Sequence, residues 1–420
     1  MKKSIYFNNF FLLLLTVCVC IPQNVKAYSV LTHEAIVDAS WEKSLKPLLL
    51  KKYPGINDSI LNIAHSYAYG GAIAPDMGYF PFGSHLFTNL VHYVRSGDFV
   101  EALIDEAQNV NEYAFALGYL SHYMADRYGH LTGTNICVPM LYPKIKEKFG
   151  DIVTYEDDKI SHKRTEFAFD VLQTAKGNYA SIAYRNFIGF NVSLPVLEKA
   201  FRKIYGLDIN DVFRNISVSI ETFRWSVKNL FPFITKLTWS VKKNEILKTQ
   251  PTATSRSFKY KMSRANYKHD FGGSHNQPGF FAKSISWLIF VLPKVGPLRP
   301  LKIKALDANA EKIFIKSFDT VLLQYNAAIK ILSNGKLNLS NIDFDTGSDT
   351  VPGEYDMADA AYNSLLLQLH KNKFKGVDKD AKMNIIDFYK NSKAPTTKKG
   401  KRKWIKVMTA LEELKFYTVI

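Results

Sequence analysis

The sequence predicts an all-α protein. From Tyr28 to about Ser240 apolar residues recur at three- and four-residue intervals. Strand-like alternation is scarce along the whole chain, and Val100 to His130 runs without an internal proline. With 47% hydrophobic and 14% aromatic residues among 420, there is apolar material for one large domain or two moderate ones.

Taken in order, the chain opens with MKKSIYFNNFFLLLLTVCVCIPQNVKA: two lysines, an apolar stretch dominated by Phe10 to Cys20, then Val25-Lys26-Ala27. This is the layout of a secretory signal peptide cut after Ala27. The apolar run is short for a bilayer-spanning anchor, and each of Cys18 and Cys20 follows a valine where lipid attachment favours a small residue. The expected destination is the periplasm, the cell surface or the medium. Cleavage leaves Cys137 as the one cysteine, so no internal disulfide can form and stability must come from packing or a metal. It also removes Lys2, Lys3 and Lys26 with no acid, lowering the formal charge from +17 to +14. Such a surplus favours anionic partners, whether phosphates, lipid headgroups or nucleic acid, without choosing among them.

Residues 28–240 form the expected main domain. Within it, Val100 to His130 predicts one long helix with Asp98 at its cap and an irregularity near Asn109 to Asn111. Residues 241–280 change character: TATSR at 252–256 and GGSHNQPG at 272–279 are polar and breaker-rich, as in a loop or linker. Residues 281–420 form a helical C-terminal region. Its apolar run Ser284 to Leu298 stops at Pro293, too short to cross a bilayer, and reads as a core helix or an interfacial membrane contact. Helical spacing returns at Asp307 to Leu332 and Glu354 to Lys371, and KKGKRKW at 398–404 reads as a solvated loop able to touch acidic lipid. There is no internal repeat.

Seven of the ten histidines fall between His33 and His162, several beside acids at helical intervals. In YLSHYMADRYGH, steps of four place His122, Asp126 and His130 on one stripe that drifts by about 40° per step. His162 and Glu166 repeat the step. Side chains one turn apart can reach a single cation, the geometry zinc uses. An isolated pair of this kind is ordinarily two hydrogen-bonded polar residues. Two such pairs among core residues such as Tyr119, Leu120 and Met124 leave several imidazoles and carboxylates needing partners, and a cation serves them all.

On these motifs the chain resembles the zinc-dependent phospholipase C family, which includes bacterial phospholipases C and glycosylphosphatidylinositol-specific phospholipase D, with single-strand-specific fungal nucleases as structural cousins. The resemblance covers Tyr28 to about Asp170 well and the rest loosely. It implies a multi-helical phospholipase C/nuclease-like domain and a ligand set. The amino group and carbonyl of a processed Tyr28 would join His33, both in YSVLTH. Asp76, in GGAIAPDMGYF, would bind metal and orient or deprotonate the attacking water. The next ligand is His92, in LVHYVRSG, or its rival His85, in GSHLF. His122 and Asp126 follow, Asp126 bridging two metals, and His130, His162 and Glu166 complete the set. His65 has no counterpart ligand and reads as a satisfied core or supporting residue. Two departures stand out. Three residues separate Asp126 from His130 where bacterial phospholipases C and fungal nucleases have five, and Tyr28 stands where tryptophan is usual. The short spacing resembles the phospholipase D branch and leaves substrate class open.

The function this implies is an exported phosphodiesterase holding three zinc ions and cleaving glycerophospholipids with metal-activated water at a phospholipid or membrane surface. A single-strand nuclease, with nucleic acid as partner, and a non-catalytic zinc-stabilised surface protein are the alternatives.

Overall fold

The computed structural model describes residues 30–176, 179, 189–227, 247–248, 303–304, 306–394 and 398–419. The signal peptide, Tyr28, nearly all of the 241–280 linker and the Ser284 to Leu298 run lie outside the described residues. The first helices are α1 (Val30–Ser40), α2 (Lys46–Lys52) and α3 (Asp58–Ile73), which runs into a 3-10 turn at Ala74–Tyr79. Next come α4 (His85–Tyr93), α5 (Ser96–Glu106) and α6 (Val110–Gly129), which continues through a π turn at His130–Thr134 into α7 (Asn135–Leu141). Then follow α8 (Pro143–Phe149), α9 (Lys159–Lys176), α10 (Leu194–Tyr205), α11 (Ile209–Val212) and α12 (Ile216–Trp225). The C-terminal region supplies α13 (Ala308–Asn334), α14 (Asp356–Lys371), α15 (Lys379–Tyr389) and α16 (Lys398–Phe416). Among the described residues there is no strand, only an isolated antiparallel bridge between Ile342 and Asp349.

Helix α6 is the axis: every residue from Glu112 to Asp126 is buried, and α1, α3, α5 and α13 pack around it. Its crossing with α3 is set by glycine. A Cβ at Gly118 would overlap the Ala68 carbonyl, and one at Gly71 the Phe115 carbonyl, so the two backbones touch directly. That contact brings the end of α3 and the 3-10 turn beside the middle of α6.

Three local readings are corrected. The stretch Val100 to His130 is two helices, because Asn109 caps α6 by accepting from the Asn111 and Glu112 amides at 3.1 and 3.0 Å, and Glu112 reaches back to the Gln108 amide at 2.8 Å. Asp98 is no cap: it sits inside the first turn of α5, and its carboxylate takes Arg95 Nε at 2.7 Å and Asn341 Nδ2 at 3.1 Å. KKGKRKW, read as a loop, starts α16, whose buried Val407, Ala410, Leu411 and Leu414 give it a core-facing stripe.

The C-terminal helices share the main core. Tyr325 of α13 donates to the Leu117 carbonyl at 2.9 Å, α14 packs along α4, and Phe344, Tyr355 and Leu365 belong to the same buried cluster as Phe87, Phe99 and Tyr123. The connection between α13 and α14 reaches the C-terminal end of α6.

Candidate metal centre

Eight of the nine predicted ligands are described, and all eight are buried at 3% exposure or less. His33 comes from α1, Asp76 from the 3-10 turn after α3, His92 from the end of α4, and His122 and Asp126 from α6. His130 opens the π turn, and His162 and Glu166 lie one turn apart on α9. A π turn inserts an extra residue per turn and frequently marks a functional position.

Around Asp126, His122 Nε2 lies 3.1 Å from Oδ2, His92 Nε2 3.7 Å from Oδ2, and His33 Nε2 3.6 Å from Oδ1. His92 Nε2 is also 3.4 Å from Asp76 Oδ1. Two sets bring their ligand atoms within 4.8 Å of one another: His33, Asp76 and His122, and His92, His122 and Asp126. A third gathering uses α9. Glu166 Oε1 lies 2.8 Å from His162 Nδ1 and 3.5 Å from His130 Nε2.

The hydrogen bonds on the far side of each ring decide what faces inward. His92 Nδ1 donates to the Thr88 carbonyl, His122 Nδ1 to Ala72 and His130 Nδ1 to Phe344, each at 2.8 Å. A carbonyl only accepts, so a neutral ring turns its Nε2 lone pair toward the carboxylates. For His162 the argument passes through Asn135, whose Nδ2 donates to the Asp345 carbonyl at 2.8 Å. Its Oδ1 must then accept from His162 Nε2 at 2.8 Å, which leaves the Nδ1 lone pair facing Glu166. Asp126 Oδ1 and Oδ2, His122 Nε2 and Glu166 Oε1 are buried without a hydrogen-bond partner. Lone pairs that face one another in a dry interior need a proton or a metal cation between them, and imidazoles that donate backward to carbonyls suit a metal. The donor set of nitrogen and carboxylate oxygen suits zinc.

Electrostatics agree. Burial opposes protonation of His130, yet Asp126, Glu166 and Asp345 hold it up at about 9. Burial would raise Glu166, and His162 and His130 outweigh it, keeping that carboxyl below its usual range. Lys163, next to His162, is pushed down to about 8 by burial, with Glu166 opposing and Lys159 assisting. Tyr79 and Tyr93 are raised well above the ordinary phenol range, first by burial and then by neighbouring acids.

Of the two rivals after Asp76, the structure brings His92 to the cluster and leaves His85 exposed beside Tyr79, ring centres 5.9 Å apart. His65 stands apart from both ligand sets: it stacks on Trp41 at 3.8 Å and meets Asp38 at 3.1 Å. The sequence reading missed Asn135 and Asp345. GTNIC held a polar residue one turn past His130, but nothing in its spacing announced it, and the acidic stretch IDFDTGSD is without helical period.

The arrangement is an all-α scaffold whose clustered histidines and carboxylates could hold metal ions. Residues 32–215 match the family model for zinc dependent phospholipase C. All eight described ligand candidates fall inside the match. No curated protein and no solved structure matches the chain.

Proposed function

We propose that the protein is an exported, zinc-dependent phosphodiesterase of phospholipase C type that releases a phosphorylated headgroup from glycerophospholipids. The observation that carries this reading is the convergence of buried imidazole and carboxylate groups on Asp126 and Glu166 inside the segment that matches zinc dependent phospholipase C. Zinc held there supplies positive charge against a phosphodiester and lowers the pKa of bound water to about 7.

The chain's own residues divide the work. Asp126, His33, Asp76, His92 and His122 would hold zinc at one end of the centre. His130, His162 and Glu166 would hold a further ion. The carbonyls of Ala72, Thr88 and Phe344 lock three rings so that their ligand nitrogens stay turned inward. Asp76 orients the attacking water and takes up its proton. Cleavage after Ala27 would free the amino group of Tyr28, the ninth donor that the resemblance implies, so export would complete the set. No helix among the described residues is long and apolar enough to cross a membrane. The formal charge of +14 after processing favours anionic surfaces.

The test is metal analysis of the processed chain, followed by phosphatidylcholine liposomes and single-stranded DNA with and without chelator. Headgroup release abolished by chelation supports the proposal. Nucleotide release alone makes the protein a nuclease, and bound zinc without turnover makes it a structural zinc protein.

A further inference from the structure

We infer that residues 342–349, far outside the matched family segment, are a positioning strap for the metal centre, and that Asp345 is its central residue. This rests on the metal reading above. Two consecutive residues of the strap support three of the candidate ligands. The Phe344 carbonyl accepts from His130 Nδ1 at 2.8 Å, and the Phe344 amide donates to the His92 carbonyl at 3.2 Å. The Asp345 carbonyl accepts from Asn135 Nδ2 at 2.8 Å, and Asn135 in turn fixes His162. The Phe344 ring lies 5.0 Å from the His92 ring and 5.8 Å from that of His122, closing the apolar side of the cluster.

The carboxylate of Asp345 ties the strap to the rest of the fold. Its Oδ2 accepts from the Tyr93 hydroxyl at 2.7 Å and the Tyr355 hydroxyl at 2.5 Å, and its Oδ1 lies 3.8 Å from His130 Nδ1. Two phenol donors fix this buried carboxyl group behind a ring whose front faces Glu166. The strap is itself stiff. Asp343 accepts from the Thr346 amide at 2.7 Å and hydroxyl at 2.5 Å, and its own carbonyl takes the Gly347 amide at 2.9 Å. Ser96 pins Ile342 by donating to its carbonyl at 2.7 Å and accepting from its amide at 3.0 Å. Gly347 has a φ of +73°, and a Cβ there would crowd the Arg127 carbonyl at 2.5 Å, so only glycine lets the strap seat on the end of α6. A flexible loop would gain nothing from this network; a ligand-orienting one needs it.

The experiment uses the full processed chain carrying Asp345→Ala, the near-isosteric Asp345→Asn, and Asp359→Asn as a control that replaces one of the two carboxylate oxygens accepting from the Gly353 amide. Zinc affinity is measured by competition with a chromophoric chelator, and the visible spectrum is recorded with cobalt in place of zinc. The expected result is a zinc affinity about 10- to 100-fold weaker in Asp345→Ala. The cobalt spectrum should be altered in both Asp345 variants, the control matching wild type throughout. If Asp345→Ala does not fold, Asp345→Asn decides alone. Wild-type affinity and spectrum in a folded Asp345 variant, or equal weakening in the control, overturns the inference. A wild-type chain that binds neither metal would instead remove the metal reading on which the strap depends.

Discussion

His130 shows what one residue must reconcile in this centre. It is buried, faces Glu166, and donates from its other nitrogen to Phe344, yet protonation holds to about pH 9 because Asp126, Glu166 and Asp345 outweigh burial. A proton and a cation compete for the same lone pair, so zinc affinity should rise with pH and level off above about 9, readable by chelator competition across pH. The sign of the stability effect follows from the same shift. With chelator present, His130 contributes stability in full below its unfolded value of 6.5 and loses it as pH rises through about 9. The melting difference between wild type and His130→Gln should therefore shrink over that window. Asp126→Asn should abolish stoichiometric binding at two cation positions, checked by elemental analysis. His65→Ala should leave metal content intact while costing about 1–3 kcal/mol, because its contacts are with Asp38 and Trp41 rather than with either ligand set. Equal metal loss in both variants would mean that the ligands are misassigned.

At the scale of the element, the stripe on α6 was legible because helical period turns spacing into direction, and spacing alone put His122 and Asp126 on one face. The break before α6 was legible only in part. Asn109 followed by Glu112 is a capping signal, but apolar residues keep helical spacing across it and mask the interruption. The crossing of α3 and α6 is a matter of backbone meeting backbone, which a one-dimensional pattern does not convey. Its consequence is testable. In Gly71→Ala the new Cβ meets the Phe115 carbonyl, which cannot give way, so the helices must separate. The loss should be about 3 kcal/mol by denaturant titration. It should come with weaker zinc binding, since the Ala72 carbonyl that orients His122 is the next residue.

The whole molecule folds its family-matched segment and its C-terminal region around a shared interior, and the sequence reading, guided by motifs, had no means of seeing this. Distant pairings such as Tyr93 with Asp345 leave no periodic trace, because neither residue needs a special neighbour in sequence. A chain truncated after residue 227 would lose Tyr325, Phe344, Tyr355 and Leu365 from the core, so it should fail to give a cooperative melt or to bind zinc. Chelation of the intact chain should lower its melting temperature, by an amount corresponding to about 4 kcal/mol at a thousandfold excess of zinc over Kd. The acceptor of His130 lies 214 positions further along the chain. A polypeptide is made from its amino end, so most of the donors are synthesised long before the carbonyl that aims this ring exists. The nascent protein thus carries its donors before they are aimed, and only the finished molecule can set this ring.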